Sequence, residues 1–282
     1  MANVLVLGGT GFIGRNLVKF LVDSGKCAYV RSVDKVFPQT AYLSKEHAAV
    51  YDNPICQFVQ GNLSSPQSIA KCFTIEGGKE FEFVFNCAAE TKFGQEEAIY
   101  KDKLHDVCVK IATEAAKHPI KKFVHLSTAQ VYDAGKKASK EDAKLEPWTV
   151  QAKVHLQTEE SLKAIPGLPL IILRPATVYG PGDIQGVAPR IICAAVYKHL
   201  DEKMKFLWSG DLRYNTVYVL DVVRAMWHCA TNVAAPALFN LADKNDTTQE
   251  KINKILEEIF GIKTGFYGSF VGTMAKGIGF KS

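Results

Sequence analysis

The sequence lacks the features that would point to a metal centre, a secreted domain or a membrane protein. Its seven cysteines form no Cys-x-x-Cys pair, so we expect free thiols buried in a reducing compartment, with neither disulfides nor a bound metal. No apolar run reaches a length of about 18 residues, which a membrane span requires. The first strand pattern begins at residue 3, which leaves no room for a signal peptide. These absences predict a cytoplasmic protein without a membrane span.

The chain also lacks a dense run of basic residues, internal repeats and low-complexity segments. Its 282 residues carry a net charge of +5, and the lysines and arginines are dispersed, so we predict no nucleic-acid partner. The composition, 47% hydrophobic and 22% charged, is that of an ordinary globular protein. This length predicts one large domain or two unequal ones.

The N-terminus does contain a strand, a glycine-rich turn and a helix. Residues 4–7 are all aliphatic, which is typical of a strand buried on both faces, and residues 15–22 place apolar side chains at helical spacing. Three glycines between them allow a tight turn, a close approach to a pyrophosphate and close helix–strand packing. The pattern predicts a dinucleotide site, against the alternative of a glycine turn without a ligand. Its candidate cofactor-binding residues are Gly8, Thr10, Gly11, Phe12, Ile13 and Gly14.

An acidic residue follows the second predicted strand. Asp34 ends an extended pattern over residues 28–33 and lies twenty residues after Gly14, where a carboxylate accepts hydrogen bonds from an adenosine ribose. Because a carboxylate repels a 2′-phosphate, we predict NAD as the cofactor. Three nearby cations could bind that phosphate and keep NADP open as the alternative: Arg15, Arg31 and Lys35.

Strand and helix patterns alternate along the chain up to about residue 180. Further strands are predicted over residues 56–60, 81–89, 122–128 and 170–174, and helices over residues 66–73, 96–118 and 150–164. This alternation predicts an α/β fold, a Rossmann-like doubly wound parallel sheet with helices on both faces. The looser pattern beyond it favours a dinucleotide-binding domain over residues 1–180 and a small mixed substrate or lid domain, interleaved with the first, over residues 181–282.

Several motifs occur in order along the chain. GGTGFIG at residues 8–14 resembles a cofactor loop, LSTAQVY at residues 126–132 resembles a strand that ends in a catalytic hydroxyl, and RPATVYGPG spans residues 174–182. Together they resemble the extended short-chain dehydrogenase/reductase family, in its NAD-dependent epimerase/dehydratase and 3β-hydroxysteroid-dehydrogenase-like branch. The resemblance covers residues 3–261 and implies an NAD(P)-dependent oxidoreductase or epimerase. The remaining tail is shorter than is usual in the family, which predicts an incomplete substrate domain.

The resemblance also implies roles for single residues. It places the catalytic hydroxyl at Thr128 and the adenosine-ribose contact at Asp34. The family has a Gly-Asp-Leu near the adenine, and this chain has Asn62 at the aspartate position. The further cofactor contacts that it implies are Asn62, Leu63, Ala88, Ala89, Lys153 and Pro175.

One position departs from the family's chemistry. Family members use a Tyr-x-x-x-Lys pair on one helical face, in which the lysine lowers the phenol pKa from about 10. This chain has Lys153, but Thr149 stands at the tyrosine position. Because an aliphatic hydroxyl is far less acidic than a phenol, we predict that Thr149 is inactive and caps the helix or lies at the surface. A second Tyr-x-x-x-Lys, from Tyr132 to Lys136, encloses Asp-Ala-Gly, which favours a turn over a helix, so we assign it no catalytic role.

Two hypotheses on function follow. The missing tyrosine favours an NAD(P)-binding protein that is weakly active or non-catalytic and serves as a scaffold or sensor in a larger assembly. The alternative is an active epimerase, dehydratase or hydroxysteroid-type dehydrogenase that uses Thr128 and Lys153 with an unidentified proton-transfer group. The small-molecule substrate stays open between a sugar nucleotide, a sterol and none. Family members often dimerise through the helices predicted here over residues 96–118 and 150–164, so a homodimer and an assembly partner both remain open.

Overall fold

The computed structural model describes residues 1–75, 77–133, 139–267 and 271. Its strands are β1 (Ala2–Leu7), β2 (Cys27–Asp34), β3 (Cys56–Gln60), β4 (Phe83–Asn86), β5 (Lys122–Leu126), β6 (Leu170–Pro175), β7 (Thr177–Tyr179), β8 (Met204–Phe206), β9 (Thr216–Tyr218), β10 (Ala237–Leu241) and β11 (Thr264–Phe266). Its α-helices are α1 (Phe12–Asp23), α2 (Lys45–Ala49), α3 (Pro66–Phe73), α4 (Glu97–Tyr100), α5 (Val107–Ala115), α6 (Val150–Lys163), α7 (Ala188–Leu200), α8 (Val219–Asn232) and α9 (Gln249–Phe260).

The chain divides into two compact units. Unit 1 comprises Met1–Pro175 and Val219–Leu241, and unit 2 comprises Ala176–Tyr218 and Ala242–Ser282. Unit 1 holds all the candidate cofactor-binding and catalytic residues named above, so the description of the site concerns unit 1.

Unit 1 is built on a seven-stranded sheet in the order β10-β6-β5-β4-β1-β2-β3. The paired strands all run parallel. From the middle of the sheet, β1, β2 and β3 follow one another toward one edge, and β4, β5 and β6 follow one another toward the other edge. The strand order therefore reverses between β1 and β4. The carboxyl ends of the strands at such a switch point form the crevice in which α/β sheets bind ligands. The doubly wound parallel sheet predicted from the sequence is confirmed.

Helices cover both faces of this sheet. Leu5 and Val84 lie in a core shared with the buried side chains of α3, α5 and α6. Because side chains alternate along a strand, Phe83 faces the other side, where its ring lies 5.7 Å from that of Trp227 in α8. Helix α8 packs on α1. Burial on both faces explains why all six residues of β6 are buried.

The structure corrects the bounds of two predicted strands and one predicted helix, and adds a strand to the seven-stranded sheet. The strand predicted over residues 81–89 ends at Asn86, because the N–H of Ala88 turns back to the Asn86 side-chain Oδ1 at 3.2 Å. Strand β5 likewise ends at Leu126 rather than at residue 128. The helical pattern predicted over residues 96–118 forms α4, a π-helix over Lys101–Asp106 and α5, which ends at Ala115. Strand β10 was not predicted.

Unit 2 contains two short parallel strand pairs, β7–β9 and β8–β11. Helix α7 packs on α9, and their shared core includes Ala194, Met204 and Leu256. The neighbouring Cys193 is exposed, so the expectation that the thiols are buried is wrong at this position. The cause is the helical turn of α7, which directs Ala194 inward and Cys193 outward.

The described residues contain neither a metal-binding cluster nor a helix that could span a membrane. Within residues 1–75, 77–133, 139–267 and 271, no group of three or more His, Cys, Asp or Glu side chains is arranged to hold a metal ion. In the same part of the chain, no helix combines the length and apolarity that crossing a bilayer takes.

Candidate functional site

The glycine turn joins β1 to α1 at the switch point of the sheet. Gly8 has a φ of +79°, and the N–H groups of Gly8 and Gly9 both donate to the carbonyl oxygen of Val33, at 2.8 and 3.0 Å. A Cβ on Gly14 would lie 2.0 Å from the carbonyl oxygen of Gly8, a distance that no side chain tolerates. The turn therefore requires glycine at its first position for its backbone angles and at its last for close packing.

The first turn of α1 has the geometry of a phosphate site. Gly11 is the N-cap and offers no side chain to the free N–H groups of the helix start. A Cβ at Gly11 would have only the carbonyl oxygen of Gly8 within 4 Å, at 3.2 Å, so the surroundings of this position are otherwise open. Helix N-termini with exposed N–H groups bind phosphates. The turn thus fits the pyrophosphate of a dinucleotide.

Asp34 is held beside this turn at the end of β2. Its carboxylate accepts the N–H of Thr10 at 3.1 Å and the N–H of Val36 at 3.2 Å. Thr10 is buried, and its hydroxyl donates to the carbonyl oxygen of Val36 at 3.2 Å. These bonds fix the carboxylate where it can accept hydrogen bonds from ribose hydroxyls.

Two of the three cations that kept NADP open have other partners. The guanidinium of Arg15 donates to the carbonyl oxygens of Thr10 and Gly11 and of two residues after β2, Ala41 and Tyr42. Arg31 is buried and donates to the carbonyl oxygens of Cys72 and Thr74, at 2.9 and 2.6 Å. Because both guanidiniums are occupied, this geometry favours a free ribose hydroxyl, and hence NAD, beside Asp34.

Four further candidate cofactor contacts follow the carboxyl ends of β3 and β4. Asn62 follows β3, where its side-chain oxygen accepts the N–H of Ser64 at 3.0 Å, and Leu63 packs against the core. Ala88 and Ala89 follow β4 and are half-buried. A Cβ on Gly8 would lie 2.8 Å from the nitrogen of Ala88, so the strand end directly adjoins the glycine turn.

The catalytic candidates lie on the other side of the switch point. Thr128 follows β5 and caps a short 3₁₀ turn (Ala129–Val131), with its Oγ1 accepting the N–H of Gln130 at 3.2 Å. Pro175 ends β6, beside Leu241 of β10. Lys153 lies in the first turn of α6 with an exposed side chain. Since β5 and β6 are neighbours in a parallel sheet, Thr128 and Pro175 share one edge.

Thr149 is the N-cap of α6. Its Oγ1 accepts the N–H of Ala152 at 3.0 Å and donates to Oε1 of Gln130 at 3.4 Å. The helix-cap interpretation of this residue is confirmed. Gln130 thereby connects Thr149 to Thr128. The side chains of these three residues are two hydroxyls and an amide, none of which ionises near neutral pH.

Of the literal Tyr-x-x-x-Lys pair, the structure describes only the tyrosine. Tyr132 is buried, and its hydroxyl accepts from Nη1 of Arg174 at 2.6 Å and donates to Oδ1 of Asn240 at 2.9 Å. Lys136 lies outside the described residues. The phenol therefore belongs to a buried hydrogen-bond network.

Sequence reasoning missed the centre of that network, Glu159 of α6. Its carboxylate is fully buried and accepts from Arg174 through Nε at 2.9 Å and Nη2 at 2.6 Å, and from the hydroxyl of Ser127 at 2.5 Å. Burial alone would raise the pKa of Glu159, but the hydrogen bonds from Arg174 and Ser127 outweigh it and bring the pKa below its ordinary value. The available signal was a carboxylate in the buried stripe of α6, next to Thr158 and three residues before Leu162.

Two buried histidines lie beside this network. His125 of β5 receives a hydrogen bond from the side-chain amide of Asn86 at 3.2 Å, and His155 lies in the buried face of α6. Within the described residues, Nε2 of His125 and Nδ1 of His155 have no hydrogen-bond partner. Burial lowers the pKa of His125 to about 3 and that of His155 to about 4. Both rings are therefore neutral near pH 7.

Comparison with known proteins supports the motifs found in the sequence. The mouse dTDP-D-glucose 4,6-dehydratase is 25% identical over 267 residues, which cover 91% of this chain and 72% of that protein. The crystal structure of UDP-glucuronic acid 4-epimerase from Bacillus cereus in complex with NAD matches with a TM-score of 0.76 and 22% identity, over 95% of this chain and 89% of the other. The UDP-glucose 4-epimerase of Thermotoga maritima with UDP-glucose matches with a TM-score of 0.77 and 25% identity, over 95% of this chain and 86% of the other.

A family model covers most of unit 1 and part of unit 2. The model describes the NAD dependent epimerase/dehydratase family and matches residues 4–242. This range includes the glycine turn, Asp34 and the segment from Thr128 to Lys153, so the resemblance inferred from the motifs is confirmed. By the extent of this match, together with its sheet topology, the chain belongs to the NAD dependent epimerase/dehydratase family.

Proposed function

We propose that this protein binds NAD in unit 1 and is weakly active or non-catalytic, as a nucleotide-dependent scaffold or sensor. The geometry of the glycine turn and the carboxylate of Asp34 support the binding of NAD. When bound, NAD would accept and return a hydride. The residues of this chain would hold it: the N–H groups at the start of α1, Asp34 at the ribose, and Lys153 with Pro175 at the opposite end.

One observation carries the catalytic part of the proposal. Thr149 stands where family members have their tyrosine, and its hydroxyl is engaged as the cap of α6. A proton donor and acceptor with a pKa near neutrality is what this chemistry needs, and the side chain that is hydrogen-bonded to Thr149, the amide of Gln130, is not such a group. A bound substrate would therefore exchange a hydroxyl proton slowly.

The substrate class that we propose is a nucleotide sugar. The relatives named above act on, or were crystallised with, dTDP- or UDP-linked sugars according to their names. We extend this class to the present chain as a bound ligand, with slow or no conversion.

Titration with NADH and NADPH, followed by nicotinamide fluorescence, tests cofactor binding. We expect saturable binding of NADH, weaker binding of NADPH, and loss of both in Gly11→Trp, whose side chain would fill the space in front of α1. Failure of both nucleotides to bind the wild-type chain would contradict the proposal.

A gain-of-function substitution tests the catalytic part. Thr149→Tyr restores a phenol four residues before Lys153, so we expect NAD-dependent conversion of UDP-glucose or dTDP-glucose to rise above that of the wild type. Trp148→Tyr, one position away, is the matched control and is expected to have no effect. Wild-type turnover at a rate ordinary for enzymes, about 1–10³ per second, would instead establish the active-enzyme alternative.

A further inference from the structure

We infer that Glu159 is a positioning residue, whose buried carboxylate holds the segment carrying Thr128 in register with Lys153 and Pro175 at the nicotinamide end of the site. This inference rests on the proposed binding of NAD. Glu159 itself is fully buried, so it would act through its neighbours.

The first observation is that one carboxylate joins three elements. Glu159 belongs to α6, which also carries Lys153 six residues earlier, about 9 Å along the helix axis. Its Oε1 accepts from Ser127, the residue directly before Thr128, at 2.5 Å. Its two oxygens accept from Arg174, the residue directly before Pro175, at 2.9 and 2.6 Å. Each bonded neighbour thus precedes a candidate site residue.

The second observation is that the segment after β5 leaves the sheet. Ser127 makes the last strand-type bond, from its N–H to the carbonyl oxygen of Leu173 at 2.8 Å. Beyond it, Nη1 of Arg174 donates to the hydroxyl of Tyr132 at 2.6 Å, and this hydroxyl donates to Oδ1 of Asn240 in β10 at 2.9 Å. The turn that bears Thr128 is also bonded to Thr149 through Gln130 and to the N–H of Glu146 through Val131. At its two ends, however, the side chains of Ser127 and Tyr132 attach it to the Glu159–Arg174 pair. A bidentate Arg–carboxylate pair fixes direction as well as distance.

The third observation is that the network is confined to one side of the switch point. Its members lie on α6, β6 and β10 and in the segment after β5, whereas Asp34 and the glycine turn are held by backbone groups of Thr10, Val33 and Val36. A disturbance at Glu159 should therefore misplace the nicotinamide end and leave the adenosine end intact. A residue that merely stabilised the fold would affect both ends in proportion.

The test compares two ligands on the full-length chain. NADH reaches both ends, and ADP reaches only the adenosine and pyrophosphate end. In Glu159→Gln we expect NADH to bind about tenfold more weakly or worse, with a changed emission of the bound nicotinamide, while the Kd for ADP, measured by calorimetry, stays within about twofold. Glu160→Gln, an exposed neighbour on the same helix, is the control and should leave both unchanged. Unchanged NADH binding, or an equal loss for NADH and ADP, would overturn the inference.

Two further measurements test the role of Glu159 if Glu159→Gln does not fold or if the wild-type chain binds no NADH. If Glu159→Gln does not fold, Ser127→Ala and Tyr132→Phe each remove one attachment and should show the same selective loss of NADH affinity; a loss shared with ADP in both would overturn the inference. If the wild-type chain binds no NADH, the proposed function fails. Hydrogen exchange then decides whether Glu159 positions the segment: faster exchange over residues 127–132 in Glu159→Gln or Ser127→Ala, with residues 8–14 unchanged, supports it, and unchanged exchange overturns it.

Discussion

At the β1–α1–β2 end of the site the contacts come from the backbone, whereas at the β5–α6–β6 end they come from buried side chains. The glycine turn offers backbone N–H groups, and any Cβ at Gly14 would collide with the carbonyl oxygen of Gly8. Thr128 is placed instead by the Glu159–Arg174 pair and its neighbours. Backbone groups need only the right φ and ψ, so the first end depends on a few glycines. The second end depends on charges and hydroxyls contributed by residues far apart in the chain.

This difference is consistent with our proposal that the chain keeps the cofactor turn of the family but has Thr149 in place of the catalytic tyrosine. Thr149 keeps a structural task, since it caps α6, and the buried network holds the surrounding segments without it. The loss of one proton-transfer group can leave the fold and the nucleotide turn undisturbed.

The largest effect is expected from a substitution at the β5–α6–β6 end, where buried side chains make the contacts. Arg174→Gln leaves the fully buried Glu159 without its partner, which should lower the free energy of unfolding by about 3–5 kcal/mol. The matched control is Lys163→Gln: Lys163 also faces Glu159, at 3.7 Å, but is half exposed, so its loss should cost at most about 1 kcal/mol. Urea unfolding measures both. Equal effects would show that the buried pair is not what holds this end.

A somewhat smaller effect is expected at the β1–α1–β2 end, where backbone groups make the contacts. Gly14→Ala places a Cβ 2.0 Å from backbone oxygen, whereas Gly11→Ala meets that oxygen only at 3.2 Å. We expect Gly14→Ala to lower the free energy of unfolding by about 1–3 kcal/mol, with a smaller loss for Gly11→Ala. Thermal unfolding of the two variants checks the order. A reversed order would mean that the turn can relax around position 14.

The two buried histidines at the β5–α6–β6 end should make the stability of the folded protein fall at acidic pH. Their pKa values in the folded protein, about 3 for His125 and about 4 for His155, lie below the unfolded value near 6.5. The unfolded chain therefore binds more protons in this window, so stability is greatest above pH 6.5 and falls as the pH drops toward 4. Each histidine contributes at most about 1.4 kcal/mol per pH unit.

Unfolding measured between pH 7 and pH 4.5 tests this dependence. His155→Leu should flatten the slope, and His228→Gln, a change at an exposed histidine of α8, should not. The neighbouring Glu159 has a lowered pKa, so its stabilising contribution is lost only at more acidic pH, below its unfolded value of about 4.3. An unaltered slope in His155→Leu would assign the dependence to other groups.

The smallest effect is expected from the cap of α6. Thr149→Ala removes the acceptor for the N–H of Ala152 and should cost about 1 kcal/mol of stability, without affecting the affinity for ADP. Thr149→Ser retains the hydroxyl and should behave as the wild type. Denaturant unfolding of the pair checks this, and an unchanged Thr149→Ala would mean that water replaces the cap.

Sequence reasoning succeeded where the signal is local. The strand–glycine–helix pattern and Asp34 are close in the chain, and the parallel sheet followed from alternating periodicity. It failed where the signal is long-range. Strand β10 contains only five residues, none fully buried, and becomes a strand because β6 offers it a parallel edge. Glu159 looked like any helical glutamate until the fold placed Arg174 against it.

The sequence by itself determined the fold class and predicted the nucleotide turn and the replacement of the tyrosine by Thr149, because each depends on residue type at fixed spacing. Only the tertiary structure decided which side chains pair. In the folded chain, Arg15 and Arg31 donate to carbonyl oxygens, and Tyr132 is buried. Glu159 links α6 to β6 and to the segment after β5. The physical reason is that burial makes an unpaired charge costly, and the partner that satisfies it is set by packing of distant segments rather than by neighbours in the chain.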